Sequence, residues 1–292
     1  MKLFDLHCDT LTEAYLKNES LLHNTCHIDI ERAGAAFEDY TQVFAVWSEH
    51  GLEEDECYDR CFKILDYADR EFSKCEITPI YAVEGAKLLN GDIRRLEALK
   101  KRNVKILTLV WKDVCCIGGA YNNDLGLTEF GEDTVEYCLS NGIVPDLSHS
   151  NDIISKKTLE ISKSYRMPVI ASHSCSRQVY DHPRNVSDKI ATGIALCGGV
   201  IGINFVSEHL GGRDIDRLLK HIDHLTNICG ADALCLGGDF DGMSDEMLPE
   251  GIKNVSDLPL LYDAISKKYH SEAFAEAIFY SNAQNFSKHY LF

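Results

Sequence analysis

The sequence lacks the features of a membrane or secreted protein. None of its 292 residues belong to an apolar run of about 18, the length that a membrane-spanning helix needs. The start carries no basic segment followed by an apolar stretch and a cleavage site, and Asp5 already interrupts the first hydrophobic run. We therefore expect no leader, no lipid anchor, no membrane partner and a cytoplasmic location.

Positive charge is scarce. Lys and Arg number 29 against 46 Asp and Glu, which gives a formal net charge of -17. No basic stripe interleaved with aromatic residues is present, and a polyanion would be repelled. We expect no nucleic-acid partner, and we attribute the acidity to solubility, with some acidic groups able to hold cations.

Several motifs that would define a chemistry are missing. There is no GxGxxG after the first strand, no P-loop and no GxSxG elbow, and "GGDFDG" at 237–242 has the wrong spacing for a phosphate cradle. The twelve cysteines include no CxxC pair. A disulfide framework or a zinc knuckle is therefore disfavoured, and we expect reduced thiols that mostly act as small core residues.

Short β-rich apolar runs alternate with helical stretches along the whole chain. One such stretch has Thr128 as a possible N-cap and Gly142 as a stop signal. The eight predicted strands are 3–9, 40–47, 77–84, 104–110, 143–149, 168–174, 200–206 and 233–239. Strand followed by helix, repeated eight times, predicts an α/β fold with a parallel sheet.

This repeat fits a (β/α)8 TIM-type barrel better than its alternative, a doubly wound open sheet. Residues 271–289 predict an additional C-terminal helix that packs outside the barrel. No linker, repeat or change of composition divides the chain, so we expect a single domain over 1–292.

Titratable residues recur where the predicted strands end. They are His7, Asp9, Glu84, His149, His173 and Asp239. In a barrel the carboxyl ends of the strands meet at one mouth, where active sites are built. Three histidines and three carboxylates suit a divalent metal such as zinc, and a carboxylate such as Glu84 can bridge two ions.

Each of these residues also has a structural alternative. The HxD of the first strand could be a hydrogen-bonded pair, Glu84 and Asp239 could shape turns, and a histidine could cap a helix. In the first strand, Leu3, Asp5, His7 and Asp9 alternate with Phe4, Leu6 and Cys8, so one face is polar. Asp5 could then orient His7. The coincidence of titratable groups at several strand ends favours a metal site.

The motifs resemble one family nearly end to end. They include "DLHCD", "VEGA", "VPDLSH", "PVIASHS", "HPRNVSD" and "GGDFDG". Together they resemble the membrane (renal-type) dipeptidases, dinuclear zinc peptidases with a (β/α)8 fold in the amidohydrolase superfamily. The resemblance implies a metal-dependent dipeptidase that holds two divalent ions, expected to be Zn²⁺.

The resemblance also implies a role for each residue. His7 and Asp9 would bind one ion, His149 and His173 the other, with Glu84 between them. Asp239 would be the proton-shuttling acid/base, and Arg184 would contact the terminal carboxylate of the substrate. The family's substrate-contacting His after the fourth strand is Trp111 here. Its indole N–H can donate a hydrogen bond but cannot titrate, and the alternative is that it only packs the rim.

The implied reaction is attack of a metal-bridging hydroxide on a dipeptide, including dipeptides with a C-terminal D-amino acid. The implied partner is a small dipeptide, and the chain could form a homodimer. Two alternatives stay open. One is hydrolysis of lactones or N-acyl amino acids on the same metals, and the other is a catalytically silent metal-binding protein.

Overall fold

The computed structural model describes residues 1–49 and 51–292 and shows a parallel α/β barrel. Its seven strands are β1 (Lys2–Cys8), β2 (Asp39–Trp47), β3 (Ile80–Glu84), β4 (Val104–Thr108), β5 (Val144–Asp146), β6 (Ile201–Ile203) and β7 (Leu234–Leu236). They lie in the order β5-β4-β3-β2-β1-β7-β6. Every pairing between neighbours is parallel.

Helices connect the strands. In the described residues the α-helices are α1 (Thr10–Lys17), α2 (Ile30–Ala36), α3 (Glu54–Phe72), α4 (Ile93–Lys101), α5 (Glu129–Asn141), α6 (Asp152–Tyr165), α7 (Asp188–Leu196), α8 (Ser207–Leu210), α9 (Ile215–Cys229), α10 (Leu258–Tyr269), α11 (Glu272–Glu276) and α12 (Asn282–Tyr290). Short 3-10 turns cover Ala86–Leu89, Ala231–Ala233, Asp245–Met247 and Val255–Asp257, and a π-helical turn covers Ala277–Ser281. None of the helices in this part of the chain is long and apolar enough to cross a membrane.

The two edges of the sheet meet through a short segment. Ile170 forms a parallel bridge with Asp146 of β5, and Ala171 forms one with Ile201 of β6. The predicted strand over 168–174 is therefore reduced to single bridges, although it occupies the eighth barrel position. It ends early because the Ser172 N–H donates to Asp146 Oδ1 (2.8 Å) and not to a backbone carbonyl. The barrel-type fold is confirmed, with seven of the eight predicted strands present.

The core has an inner and an outer layer. Phe4 and Leu6 lie in the inner cluster, inside the barrel, whereas Leu3 and Cys8 lie in the outer cluster between strands and helices. The predicted alternation is therefore wrong at Cys8. The register of β1 against β2 shifts between Asp5 and Cys8. Asp5 Oδ1 accepts the His7 backbone N–H (2.9 Å), so Asp5 holds the backbone of His7, not its ring.

The C-terminal helices close the floor of the barrel. The predicted helix over 271–289 consists of α11, the π turn and α12, and it does not simply pack outside. Ala283, Phe286 and Leu291 join the inner cluster. Asn282 Nδ2 donates to the carbonyl of Leu234 (2.7 Å), where β7 begins. The amino ends of the strands are thus covered, which leaves the opposite end for the site.

The capping residues predicted from the sequence lie at the two ends of α5. Thr128 Oγ1 accepts the Gly131 N–H (2.9 Å) at the start of α5, and Gly142, with φ of 71°, ends it. A hydroxyl cap and a left-handed glycine are typical of these two positions. The twelve cysteines are all free, and seven of them are buried, as expected for core thiols.

Replacing Phe286 should show how much the barrel depends on its floor. We expect Phe286→Ala to lower the free energy of unfolding by about 3 to 5 kcal/mol, because the cavity opens into the inner cluster. Phe292→Ala is the matched control, since Phe292 is 67% exposed and should change stability by less than about 0.5 kcal/mol. Urea unfolding followed by circular dichroism measures both. Equal effects would show that α12 is not part of the core.

Candidate metal centre and substrate pocket

The structure brings the six titratable residues of the strand ends together. His7 lies in β1 and Asp9 follows it, and Glu84 is the last residue of β3. His149 follows β5, His173 follows the segment of the two bridges (170–171, the bridging segment), and Asp239 follows β7. Their ligand atoms form three overlapping sets with all distances within 4.8 Å: His7, Asp9 and Glu84; Glu84, His149 and His173; His7, His173 and Asp239. Five of the six residues are buried.

Glu84 lies in the middle of this cluster. Its Oε1 is 2.8 Å from His149 Nε2 and 3.4 Å from His173 Nε2. Its Oε2 points to the other side, 3.6 Å from His7 Nε2. Each carboxylate oxygen therefore faces a different set of potential ligands.

The protonation of His149 shows that this arrangement suits a cation. His149 Nδ1 lies 2.9 Å from the carbonyl oxygen of Trp111, which can only accept, so Nδ1 carries the proton. Burial, together with repulsion from Arg184, lowers the pKa of His149 to about 4. The neutral ring thus turns the lone pair of Nε2 toward Glu84 Oε1. Two lone pairs this close repel each other, and a metal ion between them would remove the repulsion.

The β1 side of the cluster has an excess of negative charge. His7 Nε2 lies 3.5 Å from Asp9 Oδ2 and 3.8 Å from Asp239 Oδ1. Burial alone would lower the pKa of His7, but Coulomb attraction to Glu84 and contacts with Asp9 outweigh it and hold the pKa well above its usual value. His7 Nε2 and Asp9 Oδ1 are buried atoms without a hydrogen-bond partner among the described residues. Imidazoles and carboxylates placed in this way fit a divalent metal of the zinc type.

Asp239 reaches the cluster from a strained turn after β7. Its φ is 60° and that of Asp241 is 67°. His27 and Thr10 hold this turn, because Asp241 Oδ1 accepts the His27 N–H (2.7 Å) and Oδ2 accepts the Thr10 hydroxyl (2.6 Å). Asn204 Nδ2 donates to Asp239 Oδ2 (3.1 Å), which leaves Oδ1 toward the cluster. Burial raises the pKa of Asp239 to about 7.

A cavity of about 350 Å³ opens onto the cluster. Its polar wall includes Asp9, Glu84, His149 and Asp239. Its apolar wall includes Trp47 at the end of β2 and Trp111, whose rings are 4.8 Å apart. Trp111 therefore lies at the rim of the cavity and forms part of an aromatic pair.

Arg184 is buried beside the cluster and has no hydrogen-bond partner in the described part of the chain. It is 5% exposed, and none of its three guanidinium nitrogens forms a hydrogen bond within residues 1–49 and 51–292. Burial lowers its pKa, and Asp239 and Glu84 are the first charges that oppose this effect. A buried guanidinium that is not paired is costly, so an anion in contact with it would stabilise the protein.

The comparison with protein families decides the family. Residues 58–289 match the model of the membrane dipeptidases, peptidase family M19. The chain belongs to the M19 family.

Relatives and solved structures agree with the M19 assignment. An uncharacterized dipeptidase of Schizosaccharomyces pombe is 30% identical over 72% of this chain and 53% of its own length. Dipeptidase 3 of Rattus norvegicus is 29% identical over 75% of this chain and 46% of its own. The chain thus spans about half the length of these relatives.

Two crystal structures show the same fold. One, of a dipeptidase of family M19, has a TM-score of 0.89 and 22% identity, covering 100% of this chain and 99% of the other. The second, of a metallo peptidase from Rhodobacter sphaeroides with a phosphinate mimic of the dipeptide L-Ala-D-Ala, has a TM-score of 0.86 and 21% identity, covering 99% of both chains. Members of the M19 family are metallopeptidases, so a divalent metal belongs in this barrel.

Sequence reasoning missed several residues of the site. Asn204 directly follows β6, so it carried the same signal as the others, a polar residue at a strand end. Trp47 ends β2 in the same way. Ser172 and Asp146 lie beneath His173, and their contacts depend on pairs of strands that no single stretch of sequence brings together.

Gly242 lies directly against two carboxylates of the site. A Cβ at this position would lie 2.5 Å from Asp9 Oδ2 and still closer to Asp239 Oδ1. We expect Gly242→Ala to displace both side chains and to lower the metal content strongly, as measured by elemental analysis after dialysis against zinc. Gly34→Ala is the control, because the space around Gly34 is open. Full metal content in Gly242→Ala would contradict the geometry.

Proposed function

We propose that the chain is a metal-dependent dipeptidase that holds two divalent ions, Zn²⁺ above all. The observation that carries the proposal is Arg184, a buried cation next to a cluster of metal-ligand type, with no hydrogen-bond partner among the residues that the structure describes. This combination suits a small substrate that has a carboxylate on one side and a hydrolysable bond over the metals. His7 and Asp9 would hold one ion, His149 and His173 the other, and Glu84 would contact both.

The chain's own residues would then have separate roles in the reaction. When bound, the two ions supply the activation of a water molecule and the polarisation of the peptide carbonyl. Asp239, with Oδ1 toward the cluster, would take the proton of the attacking water and pass it to the leaving amine. A carboxyl group whose pKa lies near 7 can both accept and donate a proton at neutral pH. Asn204 holds the second oxygen of Asp239 and so keeps this orientation.

Arg184 would set the length of the substrate. It lies after the bridging segment, and its guanidinium can bind a terminal carboxylate with two parallel hydrogen bonds. In a dipeptide, this carboxylate would belong to the residue next to the scissile bond. The cavity of about 350 Å³ limits the size of the residue on the other side of that bond. Together these limits favour dipeptides.

The aromatic pair would contact the N-terminal residue. Trp47 ends β2, which lies four positions away from the bridging segment in a ring of eight and therefore across the mouth from that segment. A dipeptide anchored at Arg184 would thus direct its N-terminal side chain toward Trp47 and Trp111. In this proposal Trp111 acts as a packing surface and a hydrogen-bond donor, without proton transfer.

The proposal includes dipeptides with a C-terminal D-residue. Its support is the Rhodobacter metallo peptidase, which shares the fold and was solved with a mimic of L-Ala-D-Ala.

Three further properties stay predictions: a single domain over 1–292, a homodimer and a cytoplasmic location. The twelve free cysteines support a reducing environment.

Arg184→Met tests the substrate class. We expect the zinc-loaded protein to hydrolyse L-Ala-L-Ala and L-Ala-D-Ala with kcat/KM about 10²-fold above that for the C-terminal amides, because charge-assisted hydrogen bonds are worth about 1.5 to 3 kcal/mol each. Arg184→Met should remove this preference, whereas Arg94→Met, at an exposed position, should keep it. Hydrolysis of lactones or N-acyl amino acids without any dipeptide cleavage would refute the proposal.

Glu84→Gln tests the number of ions. The carboxamide has the same shape but offers only one oxygen, so it cannot face both sets of ligands with an acceptor. We expect about two zinc equivalents per wild-type chain and fewer than one in the variant, by elemental analysis of the dialysed protein. Circular dichroism would check that the fold is retained. A wild-type chain with less than one equivalent would exclude the two-ion arrangement.

A further inference from the structure

Ser172 lies directly beneath the histidines of the cluster. Its hydroxyl oxygen is 2.6 Å from Asp146 Oδ2 and 2.8 Å from His173 Nδ1, with His7 Nδ1 farther away at 3.5 Å. Ser148 Oγ lies 3.3 Å from it. Ser172, Asp146 and His173 are all buried, at 1%, 0% and 0% exposure. This chain of polar groups runs from a barrel strand to a candidate metal ligand.

The direction of each hydrogen bond can be deduced from what Asp146 already accepts. Its Oδ1 takes the backbone N–H groups of Ser148 (2.9 Å) and Ser172 (2.8 Å). Its Oδ2 takes the hydroxyl groups of Thr108 and Ser172, both at 2.6 Å. A carboxylate only accepts, so the single hydroxyl proton of Ser172 points to Asp146. The Ser172 oxygen is then left as an acceptor for His173.

We propose that Asp146 and Ser172 are a positioning pair that holds His173 in the tautomer with its proton on Nδ1. Nε2 then keeps its lone pair, which faces Glu84 and His149, as a metal ligand must. His149 reaches the same state through the carbonyl of Trp111. The metal-ligand role of His173 rests on the proposed function, but the tautomer is a property of the metal-free chain and can be measured separately.

Asp146→Asn separates positioning from structural support. Because two backbone N–H groups point at the Oδ1 position, the amide oxygen of Asn must take that place. The amide NH₂ then replaces Oδ2 and donates to Ser172. The hydroxyl proton of Ser172 turns to His173 Nδ1, which must now accept, and the ring proton moves to Nε2. The number of hydrogen bonds is unchanged, while donor and acceptor are exchanged in the bonds that join residue 146, Ser172 and His173.

The tautomer is measured in metal-free protein labelled with ¹⁵N-histidine, by two-bond ¹H–¹⁵N correlation, with His173 assigned from the signals lost in His173→Gln. We expect Nδ1–H in the wild type and Nε2–H in Asp146→Asn. The affinity for Zn²⁺, from competition with a chromophoric chelator, should fall by about 10- to 100-fold. Asp188→Asn is the matched control, since Asp188 contacts His224 outside the site (2.8 Å), and it should change neither readout.

Several other results would overturn the proposal. Nε2–H in the metal-free wild type, or Nδ1–H with undiminished zinc affinity in Asp146→Asn, would overturn the proposal. If Asp146→Asn does not fold, Ser172→Ala decides, because loss of the hydroxyl should leave His173 in a mixture of tautomers with weaker zinc binding. An unchanged tautomer and affinity in Ser172→Ala would also overturn it. A wild type that binds zinc but cleaves no dipeptide would refute the proposed function and leave the positioning pair intact.

Discussion

The interaction on which the site depends is the close approach of several potential ligand atoms around Glu84. His149 Nε2 and Glu84 Oε1 are 2.8 Å apart, and the other ring nitrogen of His149 is already committed to a carbonyl. Burying such groups is costly in the absence of a compensating charge. A divalent cation would provide that charge, so the arrangement at the mouth of the barrel suits a metal ion.

The same hydrogen-bond motif occurs twice just below the mouth of the barrel. Asp5 in β1 accepts the N–H of His7 and that of Gly238 after β7, with Oδ2 to Gly238 N at 2.9 Å. Asp146 in β5 accepts the N–H of Ser148 and that of Ser172 in the adjacent segment. In both cases a carboxylate takes two backbone donors where the regular ladder ends. The strand ends are thereby fixed to their neighbours just below the histidines.

The barrel and the convergence of the strand ends could be predicted because both are encoded locally. Alternating apolar runs and helices indicate parallel strands, and residues such as Glu84 and His149 lie at or just after the ends of those runs. The reduction of 168–174 to single bridges could not be predicted, since it depends on the Ser172 N–H meeting Asp146 across two segments. The prediction for Cys8 was wrong for a similar reason, because the register of β1 shifts between Asp5 and Cys8. The lack of a partner for Arg184 within residues 1–49 and 51–292 depends on its three-dimensional surroundings alone.

The floor formed by Phe286 and Leu291 has a consequence for how the protein is made. β1 is synthesised long before its partner β7, which begins at Leu234, and before the side chains that cover the inner cluster. At about 5 to 20 residues per second, synthesis of the intervening chain takes on the order of 10 to 60 s. During that time the apolar interior of the nascent barrel is open at its base. The floor of the barrel is therefore completed only after α12 has emerged from the ribosome.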